Sequence, residues 1–381
     1  MRNLFLSLIM ITTLASSITW AQAPEDQPAP DEAFSSFFAR ITHGGSFPGI
    51  RFDAPVDFQE FFLTRIRRGN WVASLYQARK QITNAGGDLW NSFYKAEKIG
   101  NLLFPTTELN QKFQQAYDSF ISTQCQRGCR PWNTLQQISF SQWTAGEREA
   151  FALSYVTKAA VFKDRTVLDF LGDRYEMKSE EVNGRFRFEL LNDQDFKKAV
   201  KDLGWTGEIY FRGITIPDPK NPQSRIILMN DDSIKAQTTY QAPLLQALEY
   251  VGILTHEISH VFQDRESTKL GLDLEIRSAE GALLIEGGAE FEAEQALITA
   301  AQSWPTLPQA LNLFVGEAAV EVVYRPGNEQ TGNLFPYTVG LPFVAALDDE
   351  FHNSQKLRFE MYKTILNQET LVDMFKNLGS H

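Results

Sequence analysis

The chain has 381 residues, of which 22% are charged and 43% hydrophobic, and its formal net charge is −11 at pH 7. An acidic protein with no dense basic cluster is a poor candidate for binding nucleic acid or an anionic membrane surface. The length is sufficient for two structural lobes.

Residues 1–23 are predicted to form a secretory signal peptide. Arg2 precedes an apolar run at residues 4–14, and small residues then continue to Ala23, which is the order found in signal peptides. We expect cleavage after Ala21 or Ala23. The apolar run is too short to span a bilayer. The protein is therefore expected to be exported, periplasmic or secreted, with no membrane insertion after the signal is removed.

A flexible leader rich in proline and acidic residues is predicted for residues 24–55, and a helical N-terminal region for residues 56–165. The only two cysteines of the chain, Cys125 and Cys129, lie in this region. Their even number and close spacing in an exported chain favour a small disulfide loop.

The remainder of the chain, residues 166–381, is predicted to be a second domain that begins with short strands. Strand patterns cover residues 186–191, 208–216 and 225–229. The sequence Asn230-Asp231-Asp232, which follows the third pattern, is a turn signal. From Glu290 onward the pattern is helical again, apart from a loop at residues 326–332.

The most informative motif is His-Glu-x-x-His at residues 256–260. Apolar residues recur at steps of three and four between residues 240 and 264, which predicts a helix. Within a helix His256 and His260 lie one turn apart on the same face and can bind one zinc ion. Glu257 can then take a proton from a water molecule on the metal.

Catalytic zinc usually has three protein ligands, and Glu286 is the best candidate for the third. It lies in a second predicted helix, from about residue 279 to 301, where Glu286, Glu290 and Glu294 form an acidic stripe. The small residues 287–289 allow a neighbouring helix to approach Glu286 closely. For Glu294 we favour a solvated surface position. Glu280 is the competing ligand candidate.

These motifs resemble those of the gluzincin metallopeptidases, the thermolysin-like and aminopeptidase-like clan. In that family His-Glu-x-x-His is followed by a Glu-Gly-x-Ala-x-aromatic segment, which residues 286–291 match. The connection between His260 and Glu286 is longer here than in the best-known members. The resemblance implies that Glu286 is the third zinc ligand and that Glu290 forms a hydrogen bond to a ligating histidine.

A third match is Tyr-x-x-Gly, present at Tyr337 and Gly340. In aminopeptidase-like gluzincins this tyrosine donates a hydrogen bond to the tetrahedral oxyanion, whereas a lone tyrosine is often a core residue. The resemblance, which covers about residues 240–350, also implies an α+β zincin fold that is mostly helical, with a small mixed sheet beside the active-site helix. An edge strand of that sheet would bind extended substrate, and residues 225–230 are our candidate.

The sequence therefore predicts an exported metallopeptidase with one zinc ion per chain and a peptide or protein substrate. The Gly-x-Met-Glu-Asn segment with which aminopeptidases bind a substrate amino terminus is not in the sequence, so an endopeptidase is favoured over an exopeptidase. Two alternatives remain. One is a zincin-fold binding protein with an inactive or structural zinc site, and the other is a helical exported protein in which the motif arose by chance.

Overall fold

The computed structural model describes a large central part of the chain and one helix near its C-terminus. The described residues are 99, 103–104, 106–124, 128–159, 165–205, 209, 212–238, 243–272, 279–302, 344, 348 and 354–366. The predicted signal peptide and leader lie outside this set, and so does the predicted loop at residues 326–332.

The described part of the chain is mostly helical and contains a mixed three-stranded sheet, so the predicted α+β class is confirmed. The elements are, in chain order, α1 (Thr107–Gln124), α2 (Trp132–Leu135), a 3-10 turn (Phe140–Gln142), α3 (Ala145–Thr157), α4 (Val167–Arg174), α5 (Ser179–Val182), β1 (Phe186–Leu191), α6 (Asp193–Asp202), β2 (Gly213–Asp218), β3 (Asn221–Asn230), α7 (Asp231–Thr238), α8 (Pro243–Lys269), α9 (Ala279–Gln302) and α10 (Ser354–Leu366).

The helices that precede the sheet pack around a cluster of buried aromatic side chains. Helix α3 begins at a capping box, in which the Glu147 N–H donates to Thr144 Oγ1 (3.2 Å) and the Thr144 N–H donates to Glu147 Oε2 (2.8 Å). These bonds satisfy N–H groups that have no partner inside the helix. The cluster comprises Phe104, Phe113, Tyr117, Trp132, Trp143, Phe151 and Tyr155.

The strand order in the sheet is β1-β3-β2, with β1 parallel and β2 antiparallel to β3. Strand β1 has the predicted bounds, whereas the described β2 begins at Gly213. The prediction that residues 225–230 form an edge strand was wrong, because β3 pairs on both sides. Its residues from Ile226 to Met229 are all buried, and such a continuous apolar run is typical of a strand covered on both faces.

A helix that the strand patterns did not predict, α6, covers one face of the sheet. It begins at Asn192, whose side chain accepts a hydrogen bond from the Asp195 N–H (2.9 Å). Phe196 and Val200, four residues apart, lie on its buried face. The core that they form with the sheet includes Ile216, Ile226 and Leu228.

The predicted turn after β3 is instead the start of α7. Asn230 Oδ1 accepts a hydrogen bond from the Ser233 N–H at 3.0 Å, as an N-capping side chain does. Asn and Asp favour turns and helix N-termini for the same reason, since both residues hydrogen-bond to nearby backbone groups.

Contacts group the described residues into two compact units. The first contains residues 99–262, with the sheet, and residues 292–302. The second contains residues 263–291 and the described residues from 344 to 366.

Within the second unit, helices α8 and α10 are joined by a buried polar cluster. Glu266 Oε2 accepts hydrogen bonds from Arg358 Nε (2.8 Å) and Tyr362 Oη (2.7 Å). Among the described helices of both units, none is long and apolar enough to cross a bilayer.

Candidate metal centre

Helix α8 carries the His-Glu-x-x-His motif, as the periodicity predicts. It begins at Pro243, where a proline is tolerated because the N–H groups of a first turn have no helical partner. Thr255, just before the motif, and Ser259, within it, are fully buried. Their hydroxyls donate to the carbonyls four residues earlier, at 2.7 Å and 3.0 Å. Buried polar residues at these positions are therefore satisfied within the helix itself.

The two histidines of the motif point their Nε2 atoms toward each other. These atoms are 3.1 Å apart, and the rings are nearly perpendicular at 84°. Two nitrogens that bind one tetrahedral zinc ion at roughly 2.0–2.1 Å lie about 3.3 Å apart. His256 is buried and His260 is half-buried. The spacing of the imidazoles therefore fits a shared metal ion.

Glu286 on α9 joins this pair, as the sequence predicts for the third ligand. One ligand atom from each of His256, His260 and Glu286 lies within 4.8 Å of the other two. Two imidazoles and one carboxylate are a ligand set found in catalytic zinc sites. The residues present thus fit the metal that the motif implies.

The predicted close approach of a helix to the small residues beside Glu286 is confirmed at Gly288. A Cβ atom on Gly288 would lie 3.2 Å from Gln263 Nε2 on α8 and 3.2 Å from Met361 Cε on α10. The same Gln263 Nε2 donates a hydrogen bond to the carbonyl of Ile285 at 3.0 Å. The glycine allows the amide of one helix to reach the backbone of the other, immediately before Glu286.

Glu257, the candidate base, is buried against strand β2, and its side chain is 6% exposed. Thr215 Oγ1 lies 2.8 Å from Glu257 Oε2 and 2.9 Å from the Glu257 carbonyl oxygen. Gly213 lies so close to the carboxylate that a Cβ atom there would be 2.6 Å from Oε1. The sequence analysis did not identify either residue. Strand periodicity places residues 213 and 215 on one face but does not say what that face contacts.

A buried ionic cluster anchors α8 one to two turns before the motif. Asp231, at the start of α7, accepts hydrogen bonds from Arg148 Nη2 (2.7 Å) on α3 and from Tyr250 Oη (2.7 Å) on α8. Burial raises the pKa of Asp231, but the hydrogen bonds and charge of Arg148 outweigh it and hold that pKa below its usual value. The cluster therefore ties α8 to the end of strand β3 through an ionised carboxylate.

The structure describes only some of the other predicted site residues. Glu290 is buried on α9, one turn beyond Glu286, and its hydrogen bond to a histidine stays a prediction. The side chains of Glu280 and Glu294 lie outside the described residues, as does Tyr337.

The predicted disulfide also involves a residue that the structure does not describe. Cys129 is not a free thiol, whereas Cys125 lies outside the described residues. The pairing of these two cysteines stays a prediction.

In comparisons with known proteins, no protein-family model, curated protein or solved structure matches this chain.

Proposed function

We propose that this chain is an exported zinc metallopeptidase of the gluzincin type, with a zincin-like catalytic core. The observation that carries the proposal is the convergence of His256, His260 and Glu286, whose ligand atoms lie within 4.8 Å of one another. These three residues come from two helices, and the motifs that contain them match the gluzincin pattern in the expected order.

In this proposal His256, His260 and Glu286 hold one zinc ion. When bound, zinc polarises a peptide carbonyl and lowers the pKa of a water molecule that it coordinates. Glu257 accepts a proton from the attacking water and transfers it to the leaving amine, acting as general base and then as general acid. Tyr337, by resemblance to the aminopeptidase-like members, donates a hydrogen bond to the oxyanion.

A buried carboxylate next to the ligands supports a catalytic rather than a purely structural zinc site. A structural site needs no base, yet Glu257 is buried and receives a hydrogen bond from Thr215. Burying a carboxylate costs free energy even when it accepts a hydrogen bond. Its burial and its orientation by Thr215 are therefore best explained by a role in proton transfer.

We now expect strand β2, and not residues 225–230, to be the strand that binds extended substrate. It lies at one edge of the described sheet, and Thr215 in it contacts Glu257. An extended peptide that pairs with an edge strand satisfies backbone groups of both chains. We expect such binding along the interior of the substrate, because the aminopeptidase segment for a free amino terminus is missing. Endopeptidase activity is thus favoured.

The test combines metal analysis with cleavage of a mixed peptide library. The purified protein should contain about one zinc ion per chain, and a chelator should abolish cleavage until zinc is restored. His256→Ala should lose both zinc and cleavage. A protein that contains no zinc after expression with zinc, or one that cleaves equally well with chelator present, would contradict the proposal.

A further inference from the structure

The hydroxyl group of Thr215 contacts both the side-chain carboxylate and the backbone carbonyl of Glu257. Thr215 Oγ1 is 2.8 Å from the side-chain atom Oε2 and 2.9 Å from the backbone carbonyl oxygen. Both distances are in the range of O–H···O hydrogen bonds. A hydroxyl has a single hydrogen, so the two acceptors share it in a bifurcated hydrogen bond. Because both acceptors belong to Glu257, the shared bond fixes the carboxylate relative to its own backbone. A free glutamate side chain has several rotamers, and this contact selects one of them.

Gly213 confines the other oxygen of the same carboxylate. It precedes Thr215 by two residues and lies on the same face of β2. A Cβ atom at residue 213 would lie 2.6 Å from Glu257 Oε1, 2.8 Å from Ile253 Cγ2 and 3.0 Å from Glu257 Cγ. The first two distances are shorter than a Cβ atom tolerates, so a side chain at residue 213 would push Glu257 or Ile253 out of place. The carboxylate is therefore bounded by Gly213 at one oxygen and by Thr215 at the other.

Strand β2, which carries both residues, is fixed by its pairing with the central strand β3. Within the sheet, Gly213 pairs with Met229 and Thr215 pairs with Ile227. Both partners on β3 are fully buried. A group positioned by a paired strand is held more accurately than one positioned by a loop. The geometry around Glu257 is therefore a property of the sheet and of α8 together.

We propose that Thr215 is a positioning residue for Glu257, and that Gly213 provides the space in which the carboxylate is held. The inference rests on the proposed function, because the orientation of Glu257 affects catalysis only if that carboxylate transfers a proton. A general base must lie within hydrogen-bonding reach of the proton that it takes. Displacing a reacting group by about 1 Å can cost a factor on the order of a hundred in rate.

The test compares two substitutions at residue 215 with a matched control. Thr215→Val keeps the shape of the side chain and removes the hydroxyl, whereas Thr215→Ser keeps the hydroxyl. Thr157→Val is the control, because the Thr157 hydroxyl donates only within its own helix, to the Leu153 carbonyl (2.7 Å). For each zinc-loaded protein, kcat, KM and zinc content are measured, and crystal structures of the wild type and Thr215→Val are compared.

We expect Thr215→Val to lower kcat by about 10- to 100-fold, with KM and zinc content close to the wild-type values. Thr215→Ser should stay within about threefold of the wild type, and Thr157→Val should match it, because both keep the contact with Glu257. The Thr215→Val crystal structure should show the Glu257 carboxylate turned away from its wild-type position. Wild-type turnover in Thr215→Val, an equal loss in Thr215→Ser, or loss of zinc from Thr215→Val would overturn the inference.

The crystallographic comparison separates this inference from the proposed function. If the wild-type protein cleaves no peptide, the metallopeptidase proposal fails, but the position of the Glu257 carboxylate still decides whether Thr215 holds it. An unmoved carboxylate in Thr215→Val would show that the hydroxyl has no positioning role.

Discussion

Replacing Glu257 by glutamine is the most direct test of the mechanism, because the two side chains differ only in the group that accepts the proton. The amide has almost the same size as the carboxylate, and its oxygen can still accept the hydrogen bond from Thr215 (2.8 Å in the native protein). The site is also nearly closed to solvent at this residue, which is 6% exposed. Neither a cavity nor an unsatisfied Thr215 hydroxyl should result.

The expected loss follows from the role of a general base. Proton transfer by a positioned side chain contributes about 10²- to 10⁴-fold in rate, which corresponds to about 3–5 kcal/mol in the activation free energy. The zinc ligands are unchanged in this variant. Glu257→Gln should therefore lose at least a hundredfold in kcat while it keeps about one zinc ion per chain.

The assay measures kcat on a peptide selected from the library, zinc content by elemental analysis, and the midpoint of thermal unfolding. Glu108→Gln is a suitable control, because Glu108 is an exposed carboxylate on α1 that pairs with Lys112 (3.2 Å), and this variant should keep wild-type activity. Retained turnover in Glu257→Gln would refute the assigned mechanism. Loss of zinc from that variant would instead show that Glu257 takes part in metal binding.

Three further predictions test the ligand set, the oxyanion donor and the pH dependence of stability. Glu286→Gln should lose zinc on dialysis against a chelator, whereas Glu280→Gln should retain it; the opposite behaviour would make Glu280 the ligand. Tyr337→Phe should lower kcat by about a hundredfold and leave KM nearly unchanged, and a drop in thermal stability with normal turnover would make Tyr337 a core residue instead. Burial raises the pKa of Glu147, but hydrogen bonds from Arg130 and from the backbone outweigh it and hold the pKa at about 2, below its usual value of 4.5. A carboxyl group whose pKa is lower in the folded than in the unfolded protein stabilises the folded state at pH values above its unfolded-state pKa. Glu147→Gln should therefore lower the free energy of unfolding by about 2 kcal/mol at pH 7, allowing for the partial exposure of Arg130. That cost should shrink as the pH falls from 4.5 toward 2, and a difference in urea-unfolding free energy that is constant over this range would contradict the assigned ionisation.

Strong local patterns predicted the two helices of the site almost completely. The helix predicted around the motif between residues 240 and 264 is observed as Pro243–Lys269, and the helix predicted for about residues 279–301 is observed as Ala279–Gln302. Each is a long apolar segment, for which helical periodicity is a reliable guide. The small residues beside Glu286 made it the favoured third ligand, with Glu280 as the alternative, and the structure groups ligand atoms of Glu286, His256 and His260 within 4.8 Å of one another.

Short segments were predicted less well because their structure depends on distant partners. The Asn230-Asp231-Asp232 sequence has the composition of both a turn and a helix start. In the folded protein this segment begins a helix, and Asp231 in its first turn accepts a hydrogen bond from Arg148 on α3, 83 residues earlier in the chain. Similarly, α6 is only ten residues long. Its stability comes from burying Phe196 and Val200 against the sheet, not from local helix propensity.

The sequence alone therefore determined that His256 and His260 lie one turn apart on the same face of a helix, because helical spacing is a local property. Only the tertiary structure decided which strand is central and which strand faces the base. Strand order depends on pairing between segments far apart in the chain, and the period of two in a strand does not identify its neighbours. For that reason the approach of Gly213 and Thr215 to Glu257 emerged from the folded sheet and not from any motif.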